Sequence, residues 1–487
     1  MKDPPHSSAY SHLLESQESE EKIPSINFRA AILPFVFPAL GGLLYGYDTG
    51  ATASAELSIE SRAMSGVSWN ALTSMEVGLL ESGSLYGAVI GSVLAFNVAD
   101  LLGRRRELIA AALFYILGSS LMTFAPSFAI LVIGRLVYGF GVGMAMHGGP
   151  LYIAETCPTS IRGTLVSMKE ASIVVGMLLG YSIGYLAMSV VGGWRIMYCV
   201  GAPIALVMAL GMCWLPPSPR WIMLRAYKGN ASVESSCEDA KAVIRRLLGK
   251  DAREDEVYCQ LDEILRSLQY VGDEISALEI FKGPSLKALI VGVGLVFFQQ
   301  FTGQPSVLYY SSKIFQTAGF SSISDAAKVS IVLGVFKIIM TLVAVWKVDK
   351  IGRRPLLIGG VGVLTCSLFV LAAYYAFVPR ASVLAVFALL CYVGAYQVSF
   401  GPMGWLLLSE IFPLRTRAWA SSFSLLVNFS ANAIVTFSFP LLQDAIGTAA
   451  TFSIFGAIGV LAVLFIILVV PETKGLSLEE IEAKFAE

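Results

Sequence analysis

Charge is scarce in this sequence. Of its 487 residues only 14% are charged and three are histidine, whereas 56% are hydrophobic. A soluble chain of this length divides into domains whose surfaces carry many more charged residues, so the composition excludes an ordinary soluble protein. In place of charge there are many apolar stretches of about 20 residues, each long enough to cross a hydrocarbon core as a helix.

The patterns of metal sites, disulfide frameworks and enzymes are also missing. The seven cysteines are scattered, mostly within apolar stretches, and lack metal-site spacing. No nucleophile–base motif or phosphate loop is present, and the net charge of −1, without a basic patch, gives no sign of a nucleic-acid partner. We therefore expect neither an enzyme nor a protein with a bound metal or cofactor.

The apolar runs predict an all-α membrane protein with twelve transmembrane helices in two six-helix bundles. The predicted spans lie near 30–54, 74–98, 107–126, 129–153, 165–190, 194–215, 286–311, 327–347, 355–377, 383–408, 418–441 and 448–470.

The two predicted bundles cover 30–216 and 284–471. A polar linker, 217–283, joins them, and its apolar residues recur at the spacing of amphipathic helices on a membrane face. The polar tail 1–29 has no apolar segment of a signal peptide, and a short tail, 472–487, follows the second bundle. Lys and Arg are concentrated in the short loops on one side and in the linker, so this side, with both termini, is predicted to be cytosolic.

The second half of the chain repeats motifs of the first in the same order. Asp100–Arg106 returns as Asp349–Pro355, and Glu155–Pro158 returns as Glu410–Pro413. Such a repeat describes two parallel bundles related by an axis along the membrane normal, a layout typical of transporters whose substrate site lies near the bilayer midplane between the halves.

The repeated loops are candidates for a conformational latch. In each copy a glycine permits a tight turn between two helices, and the carboxylate before it can satisfy a helix N-terminus and pair with arginine across the bundle interface. A basic loop that serves only to orient the chain is the alternative. The predicted latch residues are Asp100, Gly103, Arg104, Glu155, Arg162, Asp349, Gly352, Arg353, Glu410 and Arg417.

With these motifs the chain resembles the sugar-porter branch of the major facilitator superfamily over almost its whole length. Within the branch it is most similar to plant vacuolar glucose transporters and plastid-envelope xylose–proton-symporter-like carriers. The matching segments are Gly41–Gly50, Gly134-Arg135, Tyr152–Glu155, Gly193–Arg195, Pro219–Trp221, Gln299–Gly303, Leu308–Tyr310, Gly404-Trp405, Ser409–Pro413 and Pro471–Gly475.

Asp48 lies in the middle of the first predicted span. A carboxylate in apolar surroundings is costly when charged, so it can bind and release a proton. The resemblance implies Arg135 of the fourth span as its partner, and a permanently charged arginine favours the ionised carboxylate only while the two are close. We interpret the two as the proton-coupling pair; a purely structural ion pair is the alternative.

Gln299 and Gln300 stand side by side in the seventh span. Their amides can donate to and accept from sugar hydroxyls without a buried charge, although buried glutamines also hold helices together. The resemblance implies that both line a sugar site, with an aromatic face from Trp405 for the pyranose ring. The other residues assigned to that site are Thr49, Tyr309, Gly401 and Asn428.

The sequence departs from the sugar-porter pattern inside the expected site. Glu170 and Lys337 stand where glutamine and asparagine are usual, and Pro305 replaces an asparagine. Because lone charges are expensive within the membrane, we expect Glu170 and Lys337 to pair across the cavity or to contact substrate. Gly303 and Pro305 interrupt the seventh span, either as a gating bend or as a simple kink. His147 is left outside the predicted site as a helix-packing donor.

The predicted function is therefore proton-coupled monosaccharide transport, of glucose or xylose type, by alternating access. The proton is a co-substrate, the monosaccharide and the lipid bilayer are the expected partners, and the chain is expected to be a monomer. The resemblance implies an organellar membrane of a plant or alga, vacuolar or plastid-envelope, with the plasma membrane as the alternative. A facilitative uniporter of the same fold and a non-transporting sugar sensor are the rival functions.

Overall fold

The structure is a computed structural model that describes residues 28–157, 159–229, 231–249, 253–269, 277–317, 323–377, 382–413, 416–474, 480–481 and 485. Its elements are helical. The first half contains α1 Phe28–Glu60, α2 Ser74–Leu102, α3 Arg104–Thr123, α4 Phe128–Thr156, α5 Thr159–Ala187, α6 Gly193–Cys199 and α7 Gly201–Trp214. The linker contains α8 Pro219–Tyr227, α9 Val233–Leu248, α10 Glu254–Gln269 and a 3-10 helix, Ala277–Phe281.

We call the successive membrane-length segments of the chain rods. The second half has the same number and order of rods as the first. In the first half the sixth rod is interrupted, because α6 and α7 form it together, and in the second half the seventh and tenth rods are interrupted. The elements are α11 Gly283–Phe301, α12 Gln304–Tyr309, α13 Ser311–Thr317, α14 Ile323–Ile351, α15 Arg353–Phe377, α16 Ser382–Val398, α17 Phe400–Ile411, α18 Arg417–Ile446 and α19 Thr448–Val469.

Eleven stretches of the described residues are long and apolar enough to cross a membrane. They correspond to eleven of the twelve predicted spans. The first predicted span, now α1, is not among them. Its helix runs on to Glu60, beyond the predicted end near residue 54, and its second half carries polar side chains, from Asp48 to Ser58, that are buried in the protein.

Small residues bring the helices of the first half into close contact. A Cβ added to Gly46 of α1 would collide with the backbone of Ile173 in α5, and one added to Gly139 of α4 would collide with Ser84 O in α2. Glycine therefore lets these backbones touch, as is usual in helix packing within membranes. The result is that polar side chains of α1, α2 and α4 meet inside the bundle.

The linker helices bury their apolar sides against one another. Met223 of α8, Ile244 of α9, and Leu261 and Leu265 of α10 belong to a separate cluster of buried residues. The apolar faces of these linker helices are therefore covered by protein. Trp221 of α8 lies over the turn at Gly103. This contact packs the linker against the first half.

We call the end of the bundles that carries the turns at Gly103 and Gly352 the basic end, and the other the opposite end. Part of the short tail after the second half packs at the basic end, since Ile481 and Phe485 are buried against the core.

The halves touch at both ends. At the basic end the rings of Phe96 and Trp419 are 4.3 Å apart. At the opposite end Lys313 of α13 forms ion pairs with Glu56 and Glu60 of α1, at 2.6 and 3.2 Å.

Candidate functional site

Asp48 and Arg135 form a buried ion pair in the first half. Arg135 Nη1 lies 2.5 Å from Asp48 Oδ1, and both side chains are almost completely inaccessible to solvent. Ser84 donates a hydrogen bond of 2.7 Å to Asp48 Oδ2. The structure therefore brings together the two residues that the resemblance named as the proton-coupling pair.

Arg135 is also held by acceptors other than the carboxylate. Its Nε donates to Leu80 O at 2.7 Å, and its Nη2 donates to Glu81 O at 2.9 Å. Its Nη1 donates to Thr52 Oγ1 at 2.6 Å. These groups hold the guanidinium in place independently of the Asp48 carboxylate.

Gln299 and Gln300 lie in the last turn of α11, just before the break in the seventh rod. Gln299 Nε2 donates to Phe400 O at 2.9 Å, so part of its amide serves helix packing, as the alternative interpretation held. Within the described residues, however, the side-chain oxygens of Gln299 and Gln300 and the hydroxyl of Tyr309 are buried without a hydrogen-bond partner. Buried polar atoms normally have a partner, so three unsatisfied atoms on α11 and α12 are available to a polar ligand.

Tyr45 was not selected from the sequence, although it lies in the matching segment Gly41–Gly50. Its hydroxyl accepts a hydrogen bond of 3.3 Å from Asn432 Nδ2 of the second half, and its ring packs edge-on to Phe429. It also lies within electrostatic range of Glu170 and Asp48. Tyr45 therefore connects the proton-coupling pair to the interface between the halves.

The other predicted sugar contacts are distributed around these groups. Thr49 donates to Tyr45 O at 3.2 Å and lies beside Tyr309. Gly401 of α17 lies against the amide of Gln397, and Asn428 of α18 is buried. Trp405 is partly buried at the edge of the core.

Glu170 and Lys337 lie in facing halves and are near one another without forming an ion pair. Lys337 is buried and within electrostatic range of Glu170, but the closest contact of its ammonium given by the structure is Met177 Sδ at 4.0 Å. The ion pair expected from the sequence is therefore not formed in this conformation.

The seventh rod is broken at Gly303, as the sequence predicted. Gly303 has φ +88°, a conformation that favours glycine, and a Cβ there would lie 2.5 Å from the Phe455 ring. Pro305 lies in the first turn of α12 after the break, where proline is tolerated. Both the kink and the gating bend are compatible with this geometry.

The two predicted latches have matching geometry. Arg104 Nε lies 3.2 Å from Glu155 Oε1 in the first half, and Arg353 Nη2 lies 2.9 Å from Glu410 Oε1 in the second. Each pair therefore joins helices of one half rather than bridging the two. Gly103 and Gly352 have positive φ, as the tight turns require.

The other predicted latch residues either make different contacts or have side chains that the structure does not describe. Arg417 donates to Phe412 O at 3.2 Å. The side chains of Asp100, Arg162 and Asp349 lie outside the described residues. The N-terminus of α15 is held by Glu472, whose carboxylate accepts from the backbone N–H groups of Arg353 and Arg354.

His147 has a partner that the sequence did not indicate. Its Nδ1 lies 2.7 Å from Oε1 of the buried Glu107, in the first turn of α3. Within the part of the chain that the structure describes, no three His, Cys, Asp or Glu residues are placed to hold a metal ion together.

Comparisons with known proteins agree with this architecture. Residues 35–485 match the family model described as sugar (and other) transporter. The chain is 56% identical over 464 residues to a protein of Arabidopsis thaliana named D-xylose-proton symporter-like 3, chloroplastic, covering 94% of this chain and 83% of that one. It is 56% identical to D-xylose-proton symporter-like 2 of the same plant, over 93% of this chain and 91% of that one.

The fold is also similar to a solved structure. The xylose transporter XylE from E. coli, in a partially occluded inward open conformation, matches with a TM-score of 0.77 and 29% identity, covering 92% of this chain and 100% of that one. The chain is therefore a member of the sugar transporter family, with the fold of the major facilitator superfamily.

Proposed function

We propose that this protein is a proton-coupled monosaccharide transporter, of glucose or xylose type, that works by alternating access. One observation carries the proposal. Unsatisfied polar atoms of Gln299, Gln300 and Tyr309 lie inside a membrane protein whose buried Asp48–Arg135 pair is within electrostatic range of that same tyrosine. The candidate sugar site and the candidate proton site thus lie close enough to influence each other electrostatically. Relatives named as D-xylose-proton symporter-like support the pairing of these two substrates.

In the proposed cycle the sugar is bound by neutral groups and the proton by Asp48. Sugar hydroxyls satisfy the glutamine oxygens and the Tyr309 hydroxyl, so binding replaces the hydrogen bonds that the sugar had to water. Protonation of Asp48 removes its charge and weakens its attraction to Arg135. The first half can then rearrange relative to the second, because Tyr45 connects this region to Asn432 across the interface.

Alternating access follows from the paired layout of the halves. The bundles rock about the central site, and contacts at one end form as those at the other end part. We assign the basic end to the cytosol on the positive-inside rule. An organellar membrane of the plastid-envelope type is the proposed location, and one relative named chloroplastic supports it.

The proposal is tested with the purified full chain in proteoliposomes. Uptake of labelled glucose, xylose and other monosaccharides is measured with and without an inwardly acidic or outwardly acidic pH gradient. We expect at least one sugar to accumulate against its gradient when a pH gradient is imposed. Equilibration without accumulation would mean a uniporter, and binding without flux would mean a sensor.

A further inference from the structure

A buried carboxyl on α2 is not used by the proposed cycle. Glu81 is completely inaccessible to solvent. Its carboxyl group faces that of Glu56 on α1, which is also completely buried, and the two are close enough to share a hydrogen bond. Because an ionised carboxylate can only accept hydrogen bonds, this contact requires a proton on one of the two groups.

No other described group satisfies these oxygens. Both carboxyl oxygens of Glu81, and Oε2 of Glu56, are buried without a hydrogen-bond donor. Glu56 Oε1 alone has one, Lys313 Nζ at 2.6 Å. Two adjacent carboxylates in a region of low dielectric cannot both be ionised. One ammonium and one shared proton therefore balance the buried pair.

The pair lies between solvent and the proton-coupling residues. On one side Lys313 also contacts Glu60, and each of these side chains is about 30% exposed at the opposite end. On the other side Glu81 is within electrostatic range of Asp48 and Arg135. Among the described residues, the other titratable groups within electrostatic range of Glu81 are the buried tyrosines Tyr181, Tyr198 and Tyr310, from α5, α6 and the junction of α12 and α13.

From this placement we propose that Glu81, sharing a proton with Glu56, is a second proton-binding site that relays protons between the opposite end and Asp48. The proposal rests on the proposed proton-coupled transport. Its chemistry is simple, because each transfer breaks one carboxyl O–H bond as it forms another and needs no further reactant.

The gate and the relay are coupled by Lys313. This lysine belongs to the second half, whereas Glu56 and Glu81 belong to the first. When the halves part at the opposite end, the ammonium leaves Glu56. The carboxylate then takes a proton from solvent, and the proton passes through Glu81 to ionised Asp48. Closing the end returns Lys313 to Glu56, and the pair again holds one shared proton.

The transport test compares Glu81→Gln with Glu81→Asp in proteoliposomes. Glutamine can still donate a hydrogen bond to Glu56, so the fold should persist, but it cannot titrate. We expect the initial rate of uptake driven by a pH gradient to fall on the order of tenfold or more, with sugar counterflow and the final accumulation ratio unchanged. Glu81→Asp keeps the titrating group and should restore much of the rate, and Glu263→Gln, an exposed carboxyl of α10, serves as the matched control.

Each other outcome overturns the relay. An unchanged driven rate would show that protons reach Asp48 without Glu81. A changed accumulation ratio would make Glu81 part of the transport stoichiometry instead. Parallel loss of counterflow in Glu81→Gln and Glu81→Asp would show a structural role. If the unmodified protein shows no response to the pH gradient, the proposed function itself fails.

An infrared measurement tests the shared proton independently of transport. The purified protein at neutral pH should show the carbonyl stretch of a protonated carboxyl, sensitive to exchange into D2O. Glu81→Gln should lose that band, and Glu263→Gln should keep it. An identical band in Glu81→Gln and the unmodified protein would contradict a proton shared between Glu81 and Glu56.

Discussion

At the scale of single residues, the chemistry of this transporter depends on where one carboxylate sits. Asp48 is buried, paired with Arg135, and hydrogen-bonded by Ser84. A structural ion pair and a proton-coupling pair share this geometry, and they differ only in whether the carboxylate must titrate during the cycle. A substitution that keeps the shape and removes the titration separates the two.

Asp48→Asn is expected to abolish accumulation of sugar against its gradient while sparing counterflow. Asparagine matches aspartate in size, and Arg135 keeps the acceptors Leu80 O and Glu81 O, so the fold should persist. The measurement is uptake in proteoliposomes under a pH gradient. Asp255→Asn, on the exposed surface of α10, is the matched control. Accumulation by Asp48→Asn would mean that the coupling proton binds elsewhere.

The glutamines provide the second prediction at this scale. Gln300→Ala removes an unsatisfied buried oxygen and should raise the Km for the transported sugar. A loss of about 1–3 kcal/mol corresponds to about 5- to 150-fold. Gln299→Ala should raise the Km similarly and also reduce thermal stability, because its amide donates to Phe400 O. Gln443→Ala, at the far end of α18, is the control. If neither variant changes the Km for any transported sugar, the assignment of the sugar site is wrong.

At the scale of elements, the start of α15 at the basic end is capped by the side chain of Glu472. The carboxylate of Glu472 accepts from four backbone N–H groups, those of Arg353, Arg354, Thr473 and Lys474. Partial burial raises the pKa of this carboxyl, but the four hydrogen bonds together lower it further, so its pKa lies below the usual range. The cap therefore fixes the start of α15 to the segment that follows α19.

A carboxyl whose pKa is lowered by folding stabilises the protein above its unfolded-state pKa of about 4.3. That contribution is lost as the pH falls through the lower, folded-state pKa. Glu472→Gln should therefore reduce the free energy of unfolding at neutral pH by about 0.5–1 kcal/mol, a small loss because the group is partly exposed. The loss should appear as a lower Tm. The difference from the unmodified protein should shrink as the medium is acidified below about pH 4.

The check is thermal unfolding in detergent, followed by tryptophan fluorescence across pH. Glu263→Gln removes an exposed carboxyl and should leave the Tm unchanged. A difference in Tm for Glu472→Gln that stays constant at every pH would show that the charge of Glu472 does not contribute.

At the scale of the whole molecule, the two halves are held together by contacts that the proposed cycle makes and breaks in turn. Lys313 connects them at the opposite end, Phe96 and Trp419 touch at the basic end, and Glu170 faces Lys337 between them. The Glu170–Lys337 pair is open here, and we expect it to form in another stage of the cycle. It would then bias the equilibrium between conformations.

Glu170→Gln and Lys337→Asn are each expected to impair transport badly, and the double variant should recover part of the loss. A charge left alone where the pair normally closes costs about 3–5 kcal/mol, more than replacing both members with neutral groups. The measurement is a double-mutant cycle on the rate of sugar uptake. Strictly additive losses would rule the pair out and leave Glu170 and Lys337 as independent contacts to sugar, proton or water.

The sequence by itself determined the membrane class, the repeat and much of the candidate site. Apolar runs fix helices because a backbone in hydrocarbon must satisfy its own hydrogen bonds. Motifs such as Gly41–Gly50 and Gln299–Gly303 pointed to Asp48 and the two glutamines. Glu81 was missed, although it carries the same signal as Asp48, a carboxyl in the middle of an apolar span.

Only the tertiary structure decided which polar groups meet. That Glu81 faces Glu56, that His147 pairs with Glu107, and that Glu472 caps α15 all depend on contacts between segments far apart in the chain. Helical periodicity tells which side of one helix is polar, but the rotation and depth of each helix against its neighbours follow from packing. Here that packing is set by glycine contacts such as those between α1 and α5.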